Sequence, residues 1–198
     1  MSKAALTRSH IIQQSAEVFN QFGYAGTSLA DLMAATGLKK GGIYNHFASK
    51  DELAIAAFEY SVSLVQQRYA VALRGQRSAV ARLSAVVHTF CATIDEPLLK
   101  GCCPLLNTAI DSDHAHDGLK GRAQAAMDRW RTMLLIIIRY GQKHGDIQPE
   151  LDPDVVATIV IATLEGAVMM SGLYGDRTHL DRARSHLIGY IDSLLVPS

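Results

Sequence analysis

The residues best placed to do chemistry are Lys39, Lys40, Gly41, Gly42, Tyr44, Asn45 and His46. Their types suit recognition by charge and hydrogen bonding. A lysine binds phosphate as a point charge, and an asparagine can bond an adenine edge with two bonds in the major groove. Two consecutive glycines inside a helix cost up to about 1 kcal/mol each relative to alanine. Such a pair calls for a reason, and close approach of the backbone to a partner surface is one. Nothing in the chain has the spacing of a catalytic constellation. It has no glycine-rich phosphate loop, no nucleophile elbow and no paired carboxylates, so an enzyme is not expected, and neither is a cofactor.

Two short helices with a tight turn between them must position these side chains. Ser28 and Asp31 form a capping box that opens the first helix. Leu29, Leu32 and Met33 share its inner face, and Gly37 supplies the left-handed residue that ends it. The second helix, expected over Lys39–Phe47, turns Ile43 and Phe47 inward at i, i+4. This is the layout of a helix-turn-helix with its recognition helix second.

The chain at this point resembles the TetR family of transcriptional regulators. The resemblance is carried by F-G-Y-A-G-T-S at 22–28, by A-T-G-L at 35–38 and by K-G-G-I-Y-N-H-F-A-S-K-D-E-L at 40–53. It implies phosphate contacts from Thr27 or Ser28 and from Lys40, Tyr44, His46 and Lys50. Lys39, Gly41, Gly42 and Asn45 would approach base edges. Many members of the family place a small hydroxyl residue where Lys39 stands, and a lysine at that position could contact a phosphate or a guanine instead. The implied partner is a double-stranded DNA operator with two half-sites about one helical turn apart or slightly more.

At 198 residues the chain supports one or two small domains, and 48% hydrophobic residues suffice for a sizeable core. The formal net charge of zero argues at first against nucleic acid. The distribution reverses that argument. Residues 1–50 carry Lys3, Arg8, Lys39, Lys40 and Lys50 against only Glu17 and Asp31. The N-terminus has no apolar signal region, and three cysteines give no disulfide framework, which points to a cytoplasmic protein.

Apolar periodicity predicts an all-α fold of about nine helices. A helix-turn-helix DNA-binding domain over 1–48 precedes a helical effector-binding and dimerisation domain over 49–198. The first helix is expected over Lys3–Gln21, closed by Gly23. Ser49 and Glu52 cap a fourth helix that links the two parts of the chain. Later helices are expected over Ser78–Ile94, a short segment after Pro104, Gly118–His144, a helix opened by Asp152 and Pro153, and Thr178–Leu195 with a capping box to Asp181. Val155–Leu173 is apolar enough to suggest a membrane span, but Glu165 in its middle and its many small residues favour a buried helix, with no membrane partner. The family resemblance implies that the last two helices pair with a second copy as a homodimer. Ala157, Ala162, Gly166, Ala167 and Gly172 would permit the close approach.

A small-molecule effector of unknown identity is also expected, released repression being the mechanism. Candidate ligand residues are His88, Phe90, Cys91, Ile94, Cys102, Leu106, Asn107, Met127, Trp130, Leu134, Glu165 and Met169. Two further chemistries are open. Cys102 or Cys103 could sense oxidants or electrophiles, with Lys100 nearby and a helix N-terminus ahead of Pro104. Asp111, Asp113, His114, His116 and Asp117 could hold a divalent metal in a metal-dependent enzyme, although such side chains on a polar loop more often face solvent.

Overall fold

The computed structural model describes residues 2–95, 99–112 and 116–196. Among them nine helices follow in order: α1 Lys3–Gly26, α2 Leu29–Thr36, α3 Lys40–Tyr44, α4 Lys50–Ala72, α5 Ala79–Asp95, α6 Pro104–Asp111, α7 Asp117–His144, α8 Pro153–Tyr174 and α9 Thr178–Ser193. The one strand-like feature among the described residues is an isolated antiparallel bridge between Ile147 and Leu195.

The chain forms two compact units. The first takes residues 1–65 and 97–126, the second residues 66–96 and 127–198. Both α4 and α7 therefore begin in the first unit and end in the second. The sequence pointed to the fourth helix as the covalent link between the two parts, and α7 makes the same passage.

In the first unit, Ile11 and Val18 of α1, Leu32 of α2, Ile43 of α3, Phe47 and Leu53 make one buried cluster. Full burial of such side chains contributes roughly 1.5–3 kcal/mol each relative to exposure. Ser28 opens α2 as expected: its hydroxyl accepts from the Asp31 N–H at 3.2 Å, and Asp31 accepts the Ser28 N–H at 2.8 Å. Gly37 closes α2 in the left-handed conformation at φ 69°. His10 adds a brace that the sequence did not signal, its Nε2 lying 3.0 Å from the Thr36 carbonyl.

Four local expectations are corrected. Helix α1 does not stop at Gln21. Gly23 takes φ 72°, and helical bonding resumes to Gly26. Helix α3 is shorter than Lys39–Phe47: Lys39 is its N-cap, Asn45 its C-cap, and the His46 N–H bonds the Ile43 carbonyl three residues back. That tightening ends the helix and turns Phe47, 1% exposed, into the core. At the start of α4 the Ser49 hydroxyl accepts from the Glu52 N–H, but the Glu52 carboxylate reaches the Ala48 N–H instead of closing the box. Thr178 does not cap α9. Asp176 accepts the Thr178 N–H at 2.8 Å, while Asp181 pairs with Arg177 and Arg184.

The second unit packs α5, α8 and α9 on one another. Leu83, Val87, Leu134, Ile138, Leu164, Leu187 and Ile191 are almost wholly buried in it. Asp152 and Pro153 open α8 as the sequence predicts, and Asp154 pairs with Arg131. Helix α8 is the one described helix long and apolar enough to cross a membrane. It buries Val156, Val160, Leu164 and Val168 along one side.

Candidate nucleic-acid interface and ligand residues

The α2–turn–α3 segment presents the predicted residues on the outside of the first unit. Lys39, Lys40, Gly41 and Asn45 are exposed, and Gly42, Tyr44, His46 and Lys50 are half-buried. A methyl group built on Gly41 meets nothing within 4 Å, and one on Gly42 meets only the Leu38 side chain, at 3.4 Å. The fold itself therefore does not require glycine at residue 41. The Lys40 ammonium lies 5.9 Å from the Tyr44 ring centroid, a loose cation–π approach that holds the two side chains together. Asp31, accepting both the Ser28 hydroxyl and backbone N–H, has its carboxyl held below the usual carboxylate range.

Like Ser28, which is bonded to Asp31, Thr27 and Lys50 among the expected contact residues are already engaged. Thr27 is 2% exposed, and its hydroxyl donates to the Gly23 carbonyl at 2.6 Å. Lys50 donates to the Tyr24 carbonyl at 2.7 Å and lies 4.3 Å over the Tyr24 ring. The Tyr24 hydroxyl donates to Asp51. That bond and burial push the Tyr24 hydroxyl up to about 12.

A second polar assembly lies in the same unit, on segments far apart in sequence. The Asn20 side-chain amide donates to the carbonyls of Lys100 (2.8 Å) and Cys102 (3.1 Å). Asn107 in turn donates to the Asn20 carbonyl and to its side-chain oxygen, at 3.0 and 3.3 Å. Gly101, at φ 102°, is needed here, because a methyl group would stand 2.7 Å from the Asn20 carbonyl oxygen. The spacing G-C-x-x-x-x-N at 101–107 keeps Gly101 and Asn107 in one local segment, and nothing in it signals the partner on α1.

This geometry is that of a helix-turn-helix head with a free outer face, and similarity to known proteins agrees with it. Residues 11–57 match the family described as bacterial regulatory proteins, tetR family, and residues 79–187 match the tetracyclin repressor-like C-terminal domain. The chain belongs to the TetR family. A TetR transcriptional regulator from Chloroflexus aurantiacus J-10-FL superposes with a TM-score of 0.94 at 44% identity, over 98% of each chain. A TetR-family regulator from Cytophaga hutchinsonii gives 0.93 at 35% identity, over 100% of this chain and 99% of that one. Among relatives of named function, the HTH-type transcriptional repressor DhaR of Mycobacterium sp. strain GP1 is 26% identical over 175 residues, 88% of this chain and 87% of the relative. The protein is thus a DNA-binding transcription regulator of the TetR family, a family of regulators and not of enzymes.

The ligand candidates of this TetR-family chain fall into both units. Cys102, Leu106 and Asn107 belong to the first, where Asn107 is engaged with Asn20. The others belong to the second. Trp130 stacks on Phe90 at 5.4 Å and lies 6.4 Å from Tyr69. Its indole Nε1 is buried with no hydrogen-bond acceptor among the described residues. Cys91, Leu134 and Glu165 are buried, Ile94 and Met127 half-buried, and His88 and Met169 exposed. The open groove of about 520 Å³ in this unit is lined by other residues, including Leu73, Arg82, Arg129, Met133 and Ile136. Of the cysteines, Cys103 caps α6 and is 9% exposed, Cys102 is half-buried, and no disulfide forms among the described residues. Asp113 and His114 of the acidic loop lie outside the described residues. Among those described, no three His, Cys, Asp or Glu side chains gather as metal ligands.

Proposed function

We propose that the protein is a homodimeric repressor that a small molecule releases from its operator. The observation that carries the DNA reading is the exposed face from Lys39 to His46, whose two glycines leave the α3 backbone open to a partner. Lys40, Tyr44, His46 and Lys50, with Ser28 at the start of α2, would hold phosphates, and Thr27 would act from behind through its backbone. Lys39, Gly41, Gly42 and Asn45 would lie against base edges. Residues 1–48 would form the DNA-binding domain and 49–198 the effector and dimerisation domain.

An apolar stripe on α8 supports dimerisation. Val155, Ile159, Met169, Met170 and Leu173 are exposed on it, and Gly166 has open space where a Cβ would stand. A second copy of α8 and α9 covers such a stripe, and the resulting two-fold lets two short recognition helices read two half-sites. The buried indole N–H of Trp130, flanked by Phe90 and Tyr69, supports the effector reading, because a buried donor without an acceptor costs about 1–3 kcal/mol. A planar ligand with an acceptor would supply the missing bond, and Glu165 and Met127 are further candidates for its surroundings. A ligand that binds best to a conformation with misplaced reading heads shifts the population away from DNA, and DNA opposes the ligand reciprocally.

Selection from a random duplex pool tests this reading. Enrichment of an inverted repeat supports it, and no enrichment over bulk DNA overturns it. Trp130 is the only tryptophan, so its emission reports the effector directly. Metabolites that release the selected duplex should change that emission saturably.

A further inference from the structure

The geometry points to Tyr24 as the relay through which the end of α6 sets the position of Lys50 at DNA; this rests on the regulator reading above. Every group of Tyr24 that can bond is used, and each bond leads to a different part of the first unit. Its backbone N–H donates to Asp111, the last residue of α6, at 2.5 Å. Its carbonyl accepts from the Lys50 ammonium at 2.7 Å. Its ring lies beneath that ammonium, 4.3 Å away. Its hydroxyl donates to Asp51, and its ring packs nearly perpendicular to that of His116, ahead of α7, with centroids 4.8 Å apart.

The arrangement is built for close approach. Gly23 takes φ 72°, and a methyl group there would stand 2.8 Å from an Asp111 oxygen, so the turn admits the carboxylate only because residue 23 is glycine. Lys50 opens α4, directly after the recognition segment. An ammonium has three donors, and the Tyr24 carbonyl takes one. The remaining two are left for a phosphate, with the ammonium held in place by a carbonyl and a ring. Tyr24 keeps its hydroxyl proton at neutral pH, so the anchor to Asp51 persists there. A shift of the last turn of α6 therefore moves the peptide of Tyr24, and with it the carbonyl and ring that aim Lys50. Tyr24 and Asp111 act here as positioning residues; Lys50 alone of the three touches DNA.

A purely structural tie would stabilise the fold without caring whether Lys50 is present. Asp111 and Lys50 do not contact each other, and such pairs are additive unless something couples them. The test is a double-mutant cycle on affinity for the duplex selected by the wild-type protein, using the full-length dimer. Asp111→Ala should lower affinity about fivefold when Lys50 is present and have no effect in the Lys50→Ala protein. Asp111→Asn, which keeps an oxygen acceptor, should recover most of the loss. Tyr24→Leu, which removes the ring and hydroxyl but leaves the backbone groups, should show the same dependence on Lys50 and serves if Asp111→Ala unfolds. Equal losses with and without Lys50, or no loss, overturn the relay and leave the regulator reading intact. A wild-type protein that retains no duplex overturns both.

Discussion

Replacing Gly41 with alanine should move stability and DNA affinity in opposite directions. The added methyl has no neighbour within 4 Å, so it costs nothing in packing. Glycine within a helix is worse than alanine by roughly 0.5–1 kcal/mol. Gly41 sits in the first turn of a five-residue helix, so the lower end applies, and Gly41→Ala should stabilise the protein by about 0.5 kcal/mol. At DNA the same methyl stands where the backbone of α3 is proposed to meet base edges. Displacing the helix by about the radius of a methyl group breaks directional bonds that tolerate only a few tenths of an ångström. Loss of one bidentate base contact costs about 1–3 kcal/mol, roughly 5- to 150-fold in affinity. Urea unfolding at fixed protomer concentration and equilibrium binding to the selected duplex measure the two effects. Gly42→Ala is the companion, since its methyl makes ordinary contact with Leu38 at 3.4 Å. A Gly41→Ala protein that binds DNA like the wild type would refute close backbone approach.

Further outcomes follow from the same geometry. Asn20→Asp should destabilise more than Asn20→Ala, because a carboxylate would face the Lys100 and Cys102 carbonyl oxygens; about 2–3 kcal/mol is expected for the alanine, from its lost bonds and stranded acceptors. Equal unfolding midpoints would remove the Asn20 amide as the anchor of residues 100–107. Ser28→Ala should cost about 1 kcal/mol at neutral pH. Because Asp31 is held below its unfolded value, its stabilisation is full above the usual carboxylate range and fades as pH falls through the lower folded value. A Ser28→Ala protein should therefore show a shallower acid dependence, and an unchanged one would contradict the cap. Tyr24 has the opposite sign: its folded value near 12 lies above the unfolded one, so its contribution is full below about pH 10 and disappears as pH rises towards 12. Phenolate absorbance compared between wild type and Tyr24→Phe checks this. Asn45→Ala should lose about 1–3 kcal/mol on the preferred duplex and relax one base position, whereas Lys50→Ala should weaken all duplexes and reduce the salt slope by about one unit.

What the sequence revealed was whatever is settled within a few residues. Ser28 and Asp31 cap α2 through bonds three residues apart, and Gly37 ends it by its own conformation. Asp152 and Pro153 open α8 for the same reason. The length of α3 was not legible, because Phe47 leaves the helix to fill a cluster built by α1, α2 and α4. At α9 the capping pattern misled, because Thr178 is itself the first helical residue and its N–H is taken by Asp176, two residues back. The joint at Asn20, Asn107 and Asp111 was hidden because its partners lie 80–87 residues apart. Gly23 and Gly101 carried a signal of tight turning, but not of what would press against them. Tyr24 entered only as part of a family pattern; its bonds to Lys50 and Asp51 span 26–27 residues. The ligand candidates were chosen as inward helical positions, a pattern that does not tell a cavity wall from a core, and His88 and Met169 prove to be exposed.

The most direct measurement is the ratio of affinities for the selected duplex and a scrambled duplex of the same composition, at physiological salt. A dimer that reads bases through α3 should favour the selected duplex by about a thousandfold or more. Equal affinity for both would mean that the outer face of α3 does not read sequence.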